Sequence, residues 1–195
     1  FNTLQSIQFE IRQKEGNDSK IAEITEELSD ILKYALGDPK QQVSLSEEIQ
    51  YLKRYVNIQK MRFGDKFILY YEIEENLKEH HVFRLLLQPI VENSILHGVR
   101  YREHGYIKIK IYQSKQIQKI IVAVIDSGIG MTKEELMAQR KTISRYNPNH
   151  VGLANVNCRL KLYYGEEAQL HIYSKKDMGT VCLLYTSDAA DERSS

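Results

Sequence analysis

Cysteine is scarce in this chain, and the two that occur, Cys158 and Cys182, share no CxxC spacing. That pattern argues against a disulfide framework or a zinc site and favours a reducing compartment. No apolar run approaches the roughly 20 residues that span a bilayer, and no signal peptide is recognisable. The chain opens at Phe1 rather than at a methionine, so it reads as a piece of a longer protein. An excess of either charge is also missing: 27 basic against 26 acidic residues leave a net charge of +1. Bulk electrostatics therefore gives no reason to expect nucleic acid or an anionic membrane as partner. Internal repeats and low-complexity segments are absent. What is there is a chain of 195 residues, 42% of them hydrophobic. That is enough for one ordinary domain plus a smaller helical element, and too apolar for a disordered tail.

The first part reads as helical. Of Phe1, Leu4, Ile7, Phe9 and Ile11, most fit one helical face and Phe9 strays from it, and Gly16-Asn17-Asp18-Ser19 is a turn signal. Ile21, Ile24, Leu28, Ile31, Leu32 and Ala35 then recur at three- and four-residue steps, ending at Gly37-Asp38-Pro39. Two such helices make a hairpin that cannot cover its own apolar stripe, so a second copy and a four-helix bundle are expected. Ser44 and Glu47 have capping-box spacing and open a third helix that closes near Phe63-Gly64.

From there the period changes. Residues 67–71 are strand-like, 82–98 read as a buried helix, and 106–112 alternate as a half-buried strand does. Residues 120–125 are a second, more buried strand. Helices are expected over 132–139 and 152–164, and another strand over 168–174. One sheet with helices on one face follows, a mixed α/β sandwich. The division between the parts is placed near residue 64. The segment from Cys182 to Glu192 reads like a translated transposon-type sequencing adapter. The native chain is therefore expected to end near Val181, with 182–195 an artefact tail left out of fold reasoning.

Four blocks carry chemistry. Val124-Ile125-Asp126-Ser127-Gly128-Ile129-Gly130-Met131 delivers an aspartate from an apolar strand into a turn with two glycines. Glycine admits close backbone approach, and the carboxylate can accept a hydrogen bond from an exocyclic amine. Alone, this DxGxG suits any strand-to-helix turn equally well. Upstream, Leu85 to Gly98 is a mostly apolar helix carrying Glu92, Asn93 and His97. Asn93 and His97 are four residues apart and share a face. Buried polar groups without partners are costly, so they should line a wet or ligand-filled pocket. The asparagine oxygen suits Mg²⁺, which takes few protein ligands. Downstream, Gly152 opens a helix and can present N–H groups to phosphate. The polar stretch 140–149 before it reads as a mobile lid or as a plain surface loop. Met178-Gly179-Thr180 precedes the last strand.

Taken in order, these blocks resemble the N, G1, G2 and G3 boxes of the GHKL ATPases, the superfamily of histidine kinases, gyrase B, Hsp90 and MutL. Phe1-Asn2-Thr3-Leu4, Leu87-Gln88-Pro89-Ile90-Val91-Glu92-Asn93, Asn155-Val156, Arg159-Leu160 and Tyr163-Tyr164-Gly165-Glu166-Glu167 look like LytS/YesM-type sensor histidine kinases. The resemblance covers residues 1 to about 181. It implies an α+β architecture: a helical dimerisation and phosphotransfer region over 1–64, half of a dimeric four-helix bundle, then a Bergerat-type ATP-binding sandwich over 65–181.

By that resemblance Asn93 holds Mg²⁺ and Asp126 reads the adenine amine of ATP. Gly128, Gly130 and Gly152 shape the pocket, Gly179 and Thr180 close its floor, and His97 and Leu153 complete the nucleotide set. Glu92 is the catalytic candidate, polarising a group or orienting Asn93. The phosphorylated histidine would lie three residues before Phe1, so this chain alone is not expected to autophosphorylate. A response regulator, a homodimer and a membrane-anchored parent are the implied partners and setting. Three residues depart from the family pattern: His150 for the first glycine of the third block, Ser127 for a common asparagine, and Phe83 for a frequent proline. Another GHKL-type ATPase, or a non-catalytic ATP-binding dimerisation module, is the alternative.

Overall fold

The structure is a computed structural model that describes residues 20–38, 40–64, 66–116, 119–144 and 152–186. The expected first helix, the Phe1-Asn2-Thr3-Leu4 block, residues 145–149 of the expected lid and His150 lie outside the described residues. Within them, helix α1 (Lys20–Ala35) leads to a short strand β1 (Gln42–Ser44) and the long helix α2 (Leu45–Phe63). Ser44 caps α2 as its spacing predicts: its hydroxyl accepts from the Glu47 N–H, and the Glu47 carboxylate accepts from the Ser44 N–H.

The α/β part contains β2 (Phe67–Ile73), β3 (His81–Phe83), α3 (Gln88–His97), β4 (Gly105–Ser114), β5 (Lys119–Asp126), α4 (Lys133–Ser144), α5 (Leu153–Tyr164), β6 (Leu170–Lys175) and β7 (Gly179–Thr186). Five strands form one sheet in the order β2-β4-β5-β7-β6, in which β2 runs parallel to β4 and the remaining pairs are antiparallel. β1 and β3 pair separately. The register aligns Tyr71, Ile109, Val124, Cys182 and Ile172 across the sheet. That row turns inward, and Ile109, Val124, Cys182 and Ile172 are fully buried against the helices. The next row toward the end of the sheet with the same parity is Leu69, Ile107, Asp126, Thr180 and Ser174. Strand periodicity thus aims Asp126 at the helical layer.

Four expectations need correction. The helix expected over 82–98 is two things. Val82 and Phe83 pair with Val43 and Gln42 as strand β3, and helix begins only at Gln88, where Pro89 fits the first turn. The helix expected to end at residue 139 continues to Ser144, because Ile143 is buried in the core and Arg140 donates to the Ile172 carbonyl at 2.6 and 3.0 Å. The first residues of the expected lid are therefore packed helix. The division near residue 64 is no break in the core: Leu45, Leu52 and Val56 of α2 share one hydrophobic cluster with Phe67 and the sheet. Finally, the fold does not stop at Val181. β7 runs to Thr186, and Cys182 and Leu184 have the inward parity that fills the space between β5 and β6.

Candidate functional site

Asp126 ends β5 at the inner face of the sheet and is only 3% exposed. Its Oδ1 accepts from the Gly128 N–H at 2.9 Å and the Thr180 N–H at 3.2 Å. The Ser94 hydroxyl of α3 donates to the same carboxylate. Burial pushes its pKa above the ordinary carboxylate range, and the three hydrogen bonds pull the other way. The backbone around it is close-packed. A Cβ at Gly128 would lie 2.3 Å from the Gly98 Cα. Gly179 has φ +95°, and a Cβ there would lie 1.9 Å from the Asp126 carbonyl oxygen. Glycine is required at both places, by contact at the first and by contact and conformation at the second.

The wall facing Asp126 is α3. Pro89 and the absence of glycine inside it let a ten-residue helix form. Its apolar face, Ile90, Val91 and Ile95, is fully buried, which turns Asn93 and His97 to one side. Asn93, His97, Asp126, Gly130 and Thr180 line one cavity of about 450 Å³. A buried carboxylate, a half-buried amide and an exposed imidazole thus face one space. Its chemistry fits a ligand with an amine at one end and oxygen-rich groups at the other.

Not every expected residue reaches this cavity. Gly128 and Gly179 shape the backbone beneath Asp126 without lining the space. Leu153 is 5% exposed and belongs to the core, because the helix it opens packs that side against the sheet. Gly152 stands at the start of α5 with φ +91° and open space around it. Glu92 is turned away: the Tyr55 hydroxyl of α2 donates to its carboxylate. Expectation from sequence also missed several lining groups. Glu135, Gln139 and Thr142 form one side of α4, and Met131 and Lys176 come from flanking loops. The spacing of 135, 139 and 142 was a readable helical face. Ser94 and Lys176 left no local signal.

A family model described as histidine kinase-, DNA gyrase B- and HSP90-like ATPase matches residues 82–189, which hold all of these groups. The chain belongs to that ATPase family. A second model, described as histidine kinase, matches residues 1–67. The sensor protein kinase HptS of Staphylococcus aureus (strain bovine RF122 / ET3-1) is 34% identical over 184 residues, 93% of this chain and 34% of that protein. The chain thus spans about a third of the length of the curated relatives it matches. Among solved structures, the histidine kinase domain of a blue-light activated histidine kinase from Erythrobacter litoralis superposes with a TM-score of 0.53 at 14% identity, covering 95% of this chain and 82% of that one. The catalytic domain of the histidine kinase ThkA, in a nucleotide-free form, gives 0.54 at 18% identity over 75% of this chain and 94% of that one. At such identities the likeness concerns the fold. In this family's terms the residues around Asp126 are an ATP-binding domain, and the preceding helices are a region of histidine-kinase type.

Proposed function

We propose that this chain is the ATP-binding catalytic region of a LytS/YesM-type sensor histidine kinase, and that Asp126 and Asn93 hold opposite ends of one Mg-ATP. The observation that carries the reading is that both side chains line the same cavity. Asp126 accepts a hydrogen bond from the adenine amine, with Gly130 and Thr180 beside it. Asn93 offers its amide oxygen to Mg²⁺. Among the described residues no group of three or more His, Cys, Asp or Glu side chains is placed to hold a metal. A site of one amide oxygen, completed by phosphate oxygens and water, suits Mg²⁺. When bound, the ion neutralises charge on the phosphates during phosphoryl transfer.

The chain's own part in the reaction is then to position and to exclude water. Gly152 opens α5 without a side-chain cap, so the first N–H groups of that helix remain for phosphate. Glu92, bonded to Tyr55, orients α3 rather than touching the reacting atoms. The phosphoryl acceptor is a nitrogen of the histidine expected three residues ahead of Phe1, with relay to an aspartate of a response regulator. Neutral imidazole is already a nucleophile and requires no elaborate base. Residues 1–64 serve homodimerisation and phosphotransfer, and the sheet and helices that follow, through β7, serve nucleotide binding. Among the described residues no helix is long and apolar enough to cross a membrane, and the membrane-anchored parent is part of the same proposal.

Titration calorimetry with Mg-ATP tests the proposal. Saturable binding is expected, weakened by about 1–3 kcal/mol in Asp126→Asn, as for losing a charge-assisted hydrogen bond. Affinity that ignores the substitution would remove adenine from Asp126.

A further inference from the structure

Helix α3 begins without a side-chain cap of its own, yet the N–H groups ahead of it are not left bare. The Glu48 carboxylate of α2, which is fully buried, accepts from the Leu87 N–H at 2.9 Å and the Leu85 N–H at 3.0 Å. It therefore supplies from another element both the missing cap and a negative charge at the positive end of α3. The third partner of Glu48 is the Tyr34 hydroxyl, near the end of α1, at 2.5 Å. Tyr34 is held in turn: its ring stacks on Tyr51 at 4.2 Å, and the Tyr51 hydroxyl donates to Gln88, the first residue of α3, at 2.6 Å.

The same few residues also tie the end of α1. The Arg84 guanidinium lies 4.5 Å from the Tyr34 ring and donates to the Tyr34 carbonyl at 3.0 Å. A cation there complements the negative end of α1, as the Glu48 anion complements the positive end of α3. Between Arg84 and Leu87 the backbone is forced: Leu85 has φ +60°, a conformation a bulky side chain adopts only when its surroundings impose it.

We propose that Glu48 and Tyr34 are positioning residues that latch the end of α1 to the start of α3, so that a displacement of α1 changes where Asn93 stands relative to Asp126. The inference rests on the nucleotide reading given above and deepens it by naming how the helical region reaches the site. A buried carboxylate without partners is strongly unfavourable, so Glu48 follows its donors. If Tyr34 moves with α1, Glu48 and the two amides it caps are no longer held in one place. Asp126 sits on the sheet with two backbone donors that the latch does not touch; of its donors only the Ser94 hydroxyl rides on α3.

The variant of choice is Tyr34→Phe in the full chain, which deletes the hydroxyl and keeps the ring on Tyr51 and Arg84. Amide hydrogen exchange, thermal unfolding and calorimetric titrations with ATP, with and without Mg²⁺, are measured on the same protein. The expected result is an unfolding transition close to the parent's, faster exchange across residues 85–97, and Mg-ATP affinity lower by about 3- to 10-fold. Affinity for metal-free ATP stays within about 2-fold. Exchange and Mg-ATP affinity equal to the parent's would overturn the latch. So would an equal loss with and without Mg²⁺, since a general loosening of the fold does that. A parent chain that binds no nucleotide defeats the ATP reading instead, and with it the link to Asn93. In that case unchanged exchange at Leu85 and Leu87 still overturns the latch, and faster exchange there still supports it. Glu48→Gln serves as the second variant: it keeps the shape, sets an amide against two N–H donors, and is expected to exceed Tyr34→Phe in both exchange and Mg-dependent loss.

Discussion

The two ends of the cavity are held in different ways. At one end Asp126 is pinned by backbone: two N–H donors reach its Oδ1, and Gly128 and Gly179 let neighbouring chain segments close on it. At the other end Asn93 rides on a ten-residue helix whose start is set by side chains from α1 and α2. Backbone contacts inside a sheet do not rearrange singly, because each belongs to a ladder of others. A helix end held by side-chain hydrogen bonds can shift by exchanging those few bonds. One site thus combines a rigid anchor with an adjustable wall.

The sharpest way to break this contrast is to disturb the rigid end. Gly179→Ala adds a methyl group 1.9 Å from the Asp126 carbonyl oxygen at φ +95°. It should lower unfolding stability by about 2–4 kcal/mol, measured by urea denaturation. A variant as stable as the parent would show that the backbone under Asp126 yields easily.

At the adjustable end the expected effect is smaller and more selective. Asn93→Ala removes a half-buried amide from the cavity wall. Mg-ATP binding should weaken by about 1–2 kcal/mol while stability changes by no more than about 0.5 kcal/mol. Calorimetry without Mg²⁺ sharpens the test, because metal-free ATP should bind the variant and the parent alike. Equal losses in both titrations would take Asn93 off the metal.

The smallest effect is a pH slope. Burial raises the pKa of Asp126, so the folded protein holds a proton that the unfolded chain has already released. Stability from this group is therefore complete below the ordinary carboxylate range and is lost as pH rises through the raised value. Denaturation of the parent and of Asp126→Asn, from acid to neutral pH, should show a flatter profile in the variant, the two differing by at most about 1.4 kcal/mol per pH unit. Glu48, whose pKa burial also raises, is present in both proteins and cancels in the comparison. Identical slopes would place Asp126 in the ordinary range and remove the electrostatic cost assigned to its burial.

Much of this was readable beforehand, and the failures have physical causes. Strands β4 and β5 declared themselves by alternation and by a branched apolar run. The cap of α2 followed from Ser44 and Glu47 alone, since both partners lie within one turn. The strand at Val82 and Phe83 was hidden because three residues are too few to show a period, and an apolar stretch before a helix looks like more helix. Leu153 was assigned to the ligand through its place in a motif, but the helix it opens turns that side chain into the core. Glu48 stands in the first turn of α2, where an acid complements its own helix. Its real partners are separated from it by 14 to 39 positions, and no local pattern encodes them.

The sequence by itself determined the properties that repeat along a single element. The two-residue period of a strand put Asp126 on the same side as Val124, and four-residue spacing put Asn93 and His97 on one side of a helix. Both follow from backbone geometry alone. Only the tertiary structure decided that these two faces meet across a cavity, that β7 lies beside β5 so the Thr180 N–H reaches Asp126, and that α2 caps α3. Those contacts join segments distant along the chain. Their energies exist only once the core has packed and water has left the groups that then must pair.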